Sequence, residues 1–240
     1  MRLVQAILCL AVLGGEALAQ QESKPDAAKL VRAIRYSQAA HSFDLDGEIT
    51  KKRKGVPFRM SMIKELDMIR FRFNDPVQVI SLELKDNRYR LTEQLAGQKN
   101  PKELEEKRYT EKVRGTDVTY EDISQRYLYW PNPKIVGEEK LRLIVLRDTW
   151  IVQLNNPRRE LGSYAAVRVW IDKESNALLQ VEGINSKGQK VKRFRVRSIQ
   201  KDKEVGVWLL DKMRVEVLNH EGRGSKETTY MRMDKPVRRK

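Results

Sequence analysis

Apolar and charged side chains alternate with a period of two along much of this 240-residue chain. Ile69, Phe71 and Phe73, for example, alternate with Arg70 and Arg72. This pattern is typical of an antiparallel strand with one buried and one solvated face, because successive side chains point to opposite sides of a sheet. Ten segments have it: 58–63, 69–73, 80–84, 89–91, 149–154, 166–171, 178–184, 193–199, 207–218 and 228–233. About ten such strands in one domain predict an antiparallel sheet that curls strongly and has a concave face.

Two segments have helical patterns instead. The first begins at Asp26 as N-cap and ends near residue 40, with Leu30, Val31 and Ile34 on one apolar face. The second, residues 101–107, starts at a proline and is rich in charge. The sequence therefore predicts a mainly β (α+β) fold, in which a lid of one to three helices covers the concave side of the curved sheet.

The N-terminus has the features of an export signal. Arg2 precedes an apolar run at residues 3–13, and Ala17-Leu18-Ala19 supplies the small-x-small pattern of a cleavage site. An uncleaved anchor is the alternative, but the apolar run is about half of the roughly twenty residues that span a bilayer. We therefore predict a cleaved signal peptide over 1–19, one domain over 20–236, a disordered basic tail over 237–240, and a periplasmic location.

The formal net charge of +15 would suggest a nucleic-acid ligand in a cytoplasmic protein. Here, however, the cations alternate with apolar residues along strand segments, and no nucleic-acid-binding motif is present. For an exported protein the polyanions within reach are mainly lipid headgroups and cell-surface polymers. We therefore expect no nucleic-acid partner and consider an anionic membrane surface as a partner.

The residues typical of catalysis are sparse. His41 and His220 are far apart in sequence, and the single cysteine, Cys9, lies within the export signal. The adjacent carboxylates Glu121–Asp122 and Glu138–Glu139 would point to opposite faces of a strand, so we interpret them as surface charge. No nucleophile-elbow, phosphate-loop or zinc-protease motif occurs. We predict that the protein is not an enzyme and has no cofactor and no metal site.

The segment Gly115–Ile123, which reads GTDVTYEDI, resembles a motif of the LolA-like outer-membrane lipoprotein-sorting proteins. Further pieces follow in the order of that family, at 136–139, 147–152 and 169–174, and the resemblance covers most of residues 25–236. The family-motif residues are Gly115, Thr116, Asp117, Tyr120, Glu121 and Asp122. The arginine that the family places just before the strand equivalent to Met68–Phe73 is absent, since residues 64–67 read KELD.

This resemblance implies a half-open barrel that encloses an apolar cavity under a helical lid. It also implies a monomeric periplasmic carrier, which takes the acyl chains of a lipoprotein or lipid from an inner-membrane donor to an outer-membrane acceptor. A non-enzymatic envelope-assembly module, whose curved sheet binds a protein partner, is the alternative.

Flexible methionines and phenylalanines on the strands suit a pocket for disordered acyl chains, and two or three chains would bind tightly. The same alternation is also typical of an ordinary core. The candidate lining residues are Leu30, Val31, Ile34, Phe58, Met60, Met62, Met68, Ile69, Phe71, Phe73, Ile80 and Leu82.

Overall fold

The structure is a computed structural model that describes residues 24–238 except 39, 85–87, 143–144, 159–160, 203–205 and 226. The predicted export signal lies outside the described residues, as does one predicted turn at 85–87. No helix among the described residues has the length and apolar character needed to cross a bilayer.

Among the described residues, fourteen strands form a single antiparallel sheet. In chain order the first seven are β1 Phe43–Lys51, β2 Lys54–Ile63, β3 Met68–Phe73, β4 Gln78–Glu83, β5 Arg90–Leu95, β6 Lys102–Glu103 and β7 Lys134–Arg142. The others are β8 Leu146–Asn155, β9 Ala166–Asp172, β10 Leu178–Ile184, β11 Lys190–Lys201, β12 Trp208–Val217, β13 Thr229–Met233 and β14 Val237–Arg238. The order across the sheet is β6-β5-β4-β3-β2-β1-β13-β12-β11-β10-β9-β8-β7, and β14 pairs with β1.

The sheet is strongly curved and open. Strands β3 and β10 are six strand spacings apart, which would separate them by about 29 Å in a flat sheet. Phe71 of β3 and Val181 of β10 nevertheless line the same small cavity. Within the described residues β6 and β7 are the two ends of the sheet and do not pair with each other. The predicted half-open antiparallel barrel is therefore confirmed.

All ten predicted strands are present, but the count of about ten is too low because four strands were missed. The alternation of β1 is interrupted by Gly47, where a Cβ would lie 2.6 Å from the Arg232 carbonyl oxygen. Strand β7 is an edge strand with mostly exposed side chains, and β6 and β14 have two residues each. Strands β6, β7 and β14 are thus defined by pairing with a neighbour, whereas β1 has a buried face formed by Phe43, Leu45 and Ile49 that Gly47 interrupts.

Two predictions of local structure are wrong. Residues 101–107 do not form a helix: Lys102 and Glu103 pair with β5 as β6, and a 3-10 helix follows at Glu106–Arg108. Buried Leu104 continues this pairing through its N–H to the Leu91 carbonyl oxygen, 2.9 Å away. The tail is also not disordered throughout, since Val237–Arg238 pair with β1.

The helix predicted at Asp26 is confirmed as α1, Ala27–Gln38. The Asp26 carboxylate accepts a hydrogen bond from the Ala28 N–H at 2.8 Å, as an N-cap does. The predicted apolar face of α1 is buried against β8–β10 and residues 127–130, in one of two large apolar clusters. The other cluster lies between β1–β5, β12, β13 and residues 113–123.

Candidate functional site

Residues 113–130, called the crossing segment below, lie on the concave side of the sheet. They contain the short helix α2, Tyr120–Ser124, between 3-10 helices at Val113–Gly115 and Arg126–Tyr129. Val118 and Ile123 pack in the β1–β5 cluster, whereas Tyr127 and Leu128 pack in the cluster beneath α1. The crossing segment therefore joins the two apolar cores.

Asp117 anchors the crossing segment to the middle of the sheet. Its carboxylate accepts hydrogen bonds from Lys51 Nζ of β1 at 2.6 Å and from Thr229 Oγ1 of β13 at 2.7 Å. Burial opposes ionisation, but these hydrogen bonds hold the pKa of Asp117 below its ordinary value. The carboxylate is thus ionised and bound to two adjacent strands.

Tyr120 anchors α2 to the far strands. Its hydroxyl donates to Glu93 of β5 and accepts from Gln78 Nε2 of β4 at 2.8 Å. Glu93 also accepts from Arg108 Nη1 at 2.7 Å. Burial raises the pKa of Glu93, but the hydrogen bonds from Arg108 and Tyr120 outweigh it and leave the pKa below its ordinary value.

Among the described residues, Glu121 and Arg126 form the most deeply buried ion pair. Glu121 is 0 % exposed and Arg126 is 3 % exposed. Arg126 Nη2 and Nε lie 2.6 and 3.0 Å from Glu121 Oε1, and the Ser163 N–H donates to Oε2 at 2.7 Å. Burial raises the pKa of Glu121 despite the opposing effect of Arg126. The interpretation of Glu121 as surface charge is therefore wrong.

Asp122 binds four donors. It forms a capping box with Thr119, whose N–H and Oγ1 donate to the Asp122 carboxylate at 2.7 and 2.8 Å. Tyr164 Oη donates at 2.6 Å, and Lys192 Nζ of β11 donates at 2.7 Å. Because Asp122 lies on α2 and is 8 % exposed, its interpretation as surface charge is also wrong. Glu138 and Glu139 are exposed, as predicted.

The remaining motif residues shape the turn before α2. Gly115 has a left-handed backbone with φ of +71°, which glycine adopts without strain. Thr116 Oγ1 donates to the Val113 carbonyl oxygen at 2.8 Å. The polar residues of the motif therefore connect the crossing segment to β1, β4, β5, β11 and β13. The motif therefore positions the crossing segment. Most polar side chains of the motif already form hydrogen bonds within the protein.

An apolar cavity of about 170 Å³ lies between the crossing segment and the concave sheet. Four of the methionines line it, with leucine, valine, isoleucine and phenylalanine side chains and a few polar groups at one side. The lining residues are Met60, Phe71, Val118, Asp122, Ile123, Gln125, Tyr127, Leu178, Leu179, Gln180, Val181, Phe194, Val196, Leu210, Met213, Met231 and Met233.

The predicted lining residues are distributed over four environments. Met60 and Phe71 line the cavity. Leu30, Val31 and Ile34 lie on the buried face of α1 and pack against β8–β10. Met68 is half-buried at the start of β3, where its sulfur accepts from Arg70 Nη2 at 3.4 Å. The remaining six are buried in the β1–β5 core cluster: Phe58, Met62, Ile69, Phe73, Ile80 and Leu82.

Several cavity residues were not nominated from the sequence, above all Met213 of β12 and Met231 and Met233 of β13. The alternating methionines of β13 repeat the pattern of Met60 and Met62 on β2, so that signal was present. What joins these strands in one cavity is the curvature of the sheet. Among the described residues, no group of three or more His, Cys, Asp or Glu side chains is placed to hold a metal ion.

The fold is that of the LolA superfamily. A domain from Vibrio parahaemolyticus assigned to outer membrane lipoprotein sorting has a TM-score of 0.68 at 16% identity, over 88% of this chain and 91% of that one. A LolA superfamily protein from Nitrosomonas europaea has a TM-score of 0.63 at 14% identity, over 90% and 95%. A DUF1329 family protein from Desulfovibrio piger has a TM-score of 0.65 at 15% identity, over 88% and 90%.

Residues 95–240 match the model of a protein family described as "uncharacterized protein", and the chain belongs to that family. No curated protein matches the chain. The resemblance recognised in the GTDVTYEDI segment is thus confirmed at the level of fold.

Proposed function

We propose that this protein is a carrier that binds an acyl chain of a lipoprotein or lipid in the cavity beneath the crossing segment. The observation that carries the proposal is the cavity itself, which is apolar, lined by four methionines and placed on the concave face of a LolA-like sheet. The similar domain assigned to outer membrane lipoprotein sorting supports it. The proposal includes no catalytic step and no cofactor.

The cavity volume limits what the described conformation holds. A protein cavity of about 150 Å³ accommodates benzene, so about 170 Å³ corresponds to roughly six carbon atoms. The expected pocket for two or three whole chains is therefore not present in this conformation, because the crossing segment fills most of the concave face. We propose that the end of one acyl chain enters, and that each methylene contributes about 0.8 kcal/mol to binding.

The export signal predicted at residues 1–19 supports a periplasmic location, where a carrier would work between the two membranes. We propose that it acts as a monomer and exchanges its cargo with an inner-membrane donor and an outer-membrane acceptor.

We expect the purified protein to bind one fluorescent fatty acyl probe per chain, because the cavity admits a single chain. Fluorescence titration gives the affinity, and native mass spectrometry gives the stoichiometry. Phe71→Asp should weaken binding, since it places a charge in the cavity wall at a half-buried position. Failure of the wild-type protein to bind the probe, together with a crosslinked protein partner from cell envelopes, would favour the assembly-module alternative.

A further inference from the structure

Like charges face each other across three strand pairs on the outer face of the sheet, the face opposite the cavity. Arg195, for example, lies between Phe194 and Val196, which both line the cavity, so its side chain points outward. The three pairs in register are Arg195–Arg214, Lys212–Arg232 and Arg59–Arg72. Directly opposed like charges destabilise an antiparallel pair. The sheet therefore carries an electrostatic cost that a bound anion would relieve.

The Arg59–Arg72 pair is compensated within the protein. Arg59 donates to both carboxylate oxygens of Asp46, at 2.7 and 2.9 Å, and the neighbouring Arg72 Nε donates to Asn74 Oδ1 at 3.2 Å. The other two pairs can be compared with this one, because the positive charge of Arg59 is neutralised by the carboxylate of Asp46.

The other two pairs adjoin each other on β12 and form one cluster, called the cationic patch below: Arg195, Lys212, Arg214 and Arg232. Arg214 forms a salt bridge of 3.0 Å with Glu216. Within the described part of the chain, Arg195, Lys212 and Arg232 form no salt bridge. Arg195 Nε donates to the neutral Gln180 Oε1 at 2.6 Å, and Lys212 Nζ lies 4.9 Å from the centre of the Tyr230 ring.

Nearby carboxylates are engaged elsewhere. Glu182 binds Arg193 Nε at 2.6 Å and Lys190 Nζ at 2.8 Å. Glu139, which also attracts Arg195, accepts a hydrogen bond from Trp170 Nε1 at 2.7 Å. The pKa of the half-buried Arg195 is lowered, mainly because the side chain is buried and also because Arg193 lies nearby. The charge of Arg195 is partly desolvated, and neither Glu216 nor Glu139, the two carboxylates that attract it, forms a salt bridge with it.

Arg232 also borders an outer groove of about 610 Å³ that Arg59 and Arg72 line. Asp46, Glu48 and Asp234 line the same groove and offset its arginines. Glu48 also pairs in register with Arg232 across β1 and β13, so the cations of the patch that are least offset by carboxylates are Arg195 and Lys212.

An aromatic ring lies within the patch. Tyr230 pairs in register with Arg214 on one side and Thr50 on the other, and it is 37% exposed. Tyrosine suits the boundary between headgroups and water, because its ring is apolar and its hydroxyl is polar. The patch thus combines cations with a ring of the type enriched at membrane surfaces.

We propose that the cationic patch binds the phosphate groups of anionic lipid headgroups and so docks the outer face of the sheet on a membrane. Guanidinium groups match phosphate oxygens in a planar, bidentate geometry, and Lys212 adds a point charge. The cavity then lies on the other side of the sheet. This inference goes beyond acyl-chain binding and does not depend on it.

The test is co-sedimentation with vesicles of phosphatidylcholine containing phosphatidylglycerol, and with vesicles of phosphatidylcholine alone. We expect binding to the first only, decreasing as salt is raised. The triple variant R195Q/K212Q/R232Q should lose about 100-fold in partition coefficient, since each cation near an anionic surface contributes about fivefold. The matched control K29Q/K64Q/K187Q removes three positive charges at exposed positions away from the patch and should lose much less.

Equal losses in the two triple variants would overturn the proposal, because only net charge would then matter. Absent vesicle binding by the wild type, or stronger binding to duplex DNA than to the vesicles, would also overturn it. Inorganic phosphate that displaces the wild-type protein at low millimolar concentration would indicate a site for free phosphate and contradict membrane docking.

Removing the like charges relieves repulsion, so the patch variant should melt at the same temperature as the wild type or higher. A clearly lower melting temperature with lost vesicle binding would indicate a structural role for these cations and contradict the proposal. The patch variant should still bind the acyl probe, which separates failure of this inference from failure of the carrier proposal.

Discussion

Replacing Arg126 by methionine is expected to lower the free energy of unfolding by about 3–5 kcal/mol, measured by urea denaturation at neutral pH. The change leaves the fully buried Glu121 carboxylate with the Ser163 N–H and without its cation. Gly162 packs directly on this pair. A Cβ atom at position 162 would lie only 1.9 Å from Arg126 Nη2, so the site has little room to rearrange.

The loss should also depend on pH. The folded-state pKa of Glu121 is raised above its ordinary value, so this carboxyl favours the folded state at low pH and loses that contribution as pH rises through the folded pKa. Removing Arg126 raises that pKa further. The deficit relative to wild type should therefore be largest at neutral pH and shrink towards acid pH.

Arg59→Met is the matched control, because Arg59 pairs with Asp46 in an exposed position. It should leave the urea midpoint nearly unchanged, since exposed ion pairs contribute little. Equal effects of the two substitutions would contradict the assignment of Arg126 as a buried anchor of the crossing segment.

Replacing Met213 by tryptophan is expected to reduce acyl-probe affinity by at least 100-fold. The indole would occupy the cavity, and the loss of contacts with about six carbon atoms corresponds to about 5 kcal/mol at 0.8 kcal/mol per methylene. Met213 is half-buried, so the larger side chain should be tolerated with a modest change in stability. Fluorescence titration and a urea melt on the same preparation measure both.

Met68→Trp makes the same chemical change outside the cavity, at another half-buried strand methionine. It should leave probe affinity within about twofold. If Met68→Trp lowers affinity as much as Met213→Trp does, the acyl chain binds elsewhere on the sheet.

The alternation of buried and exposed side chains was sufficient to predict ten strands and the curved open sheet, and the helical spacing after Asp26 was sufficient to predict α1. The alternation failed where it is interrupted or where a strand is largely exposed. In β1 the alternation is interrupted at Gly47, because Met233 and Phe58 approach within 2.9 Å of where a Cβ would be. Strand β7 lies at the end of the sheet and is largely exposed, so its sequence has no apolar face to detect.

The role of the family motif was harder to predict from the sequence. Local spacing suggested that Glu121 and Asp122 are surface charges, whereas both are buried. Glu121 binds the nearby Arg126 and the distant Ser163 N–H, and Asp122 binds the distant Tyr164. Asp122 binds Lys192, and Asp117 binds Thr229, which is 112 positions away. Such contacts depend on how the sheet curves, which no single segment encodes. The same reason explains why Met60 and Phe71 were identified as cavity residues while Met213 and Met231 were missed.

A carrier of this kind holds the end of an acyl chain in the methionine-lined cavity beneath the crossing segment. A crystal structure of the protein bound to a fatty acid brominated at its terminal carbon tests it most directly, through the anomalous signal of bromine. We predict one bromine peak, enclosed by Ile123, Met213 and Met231. A peak outside the cavity, or crystals grown with saturating ligand that show none, would contradict the claim.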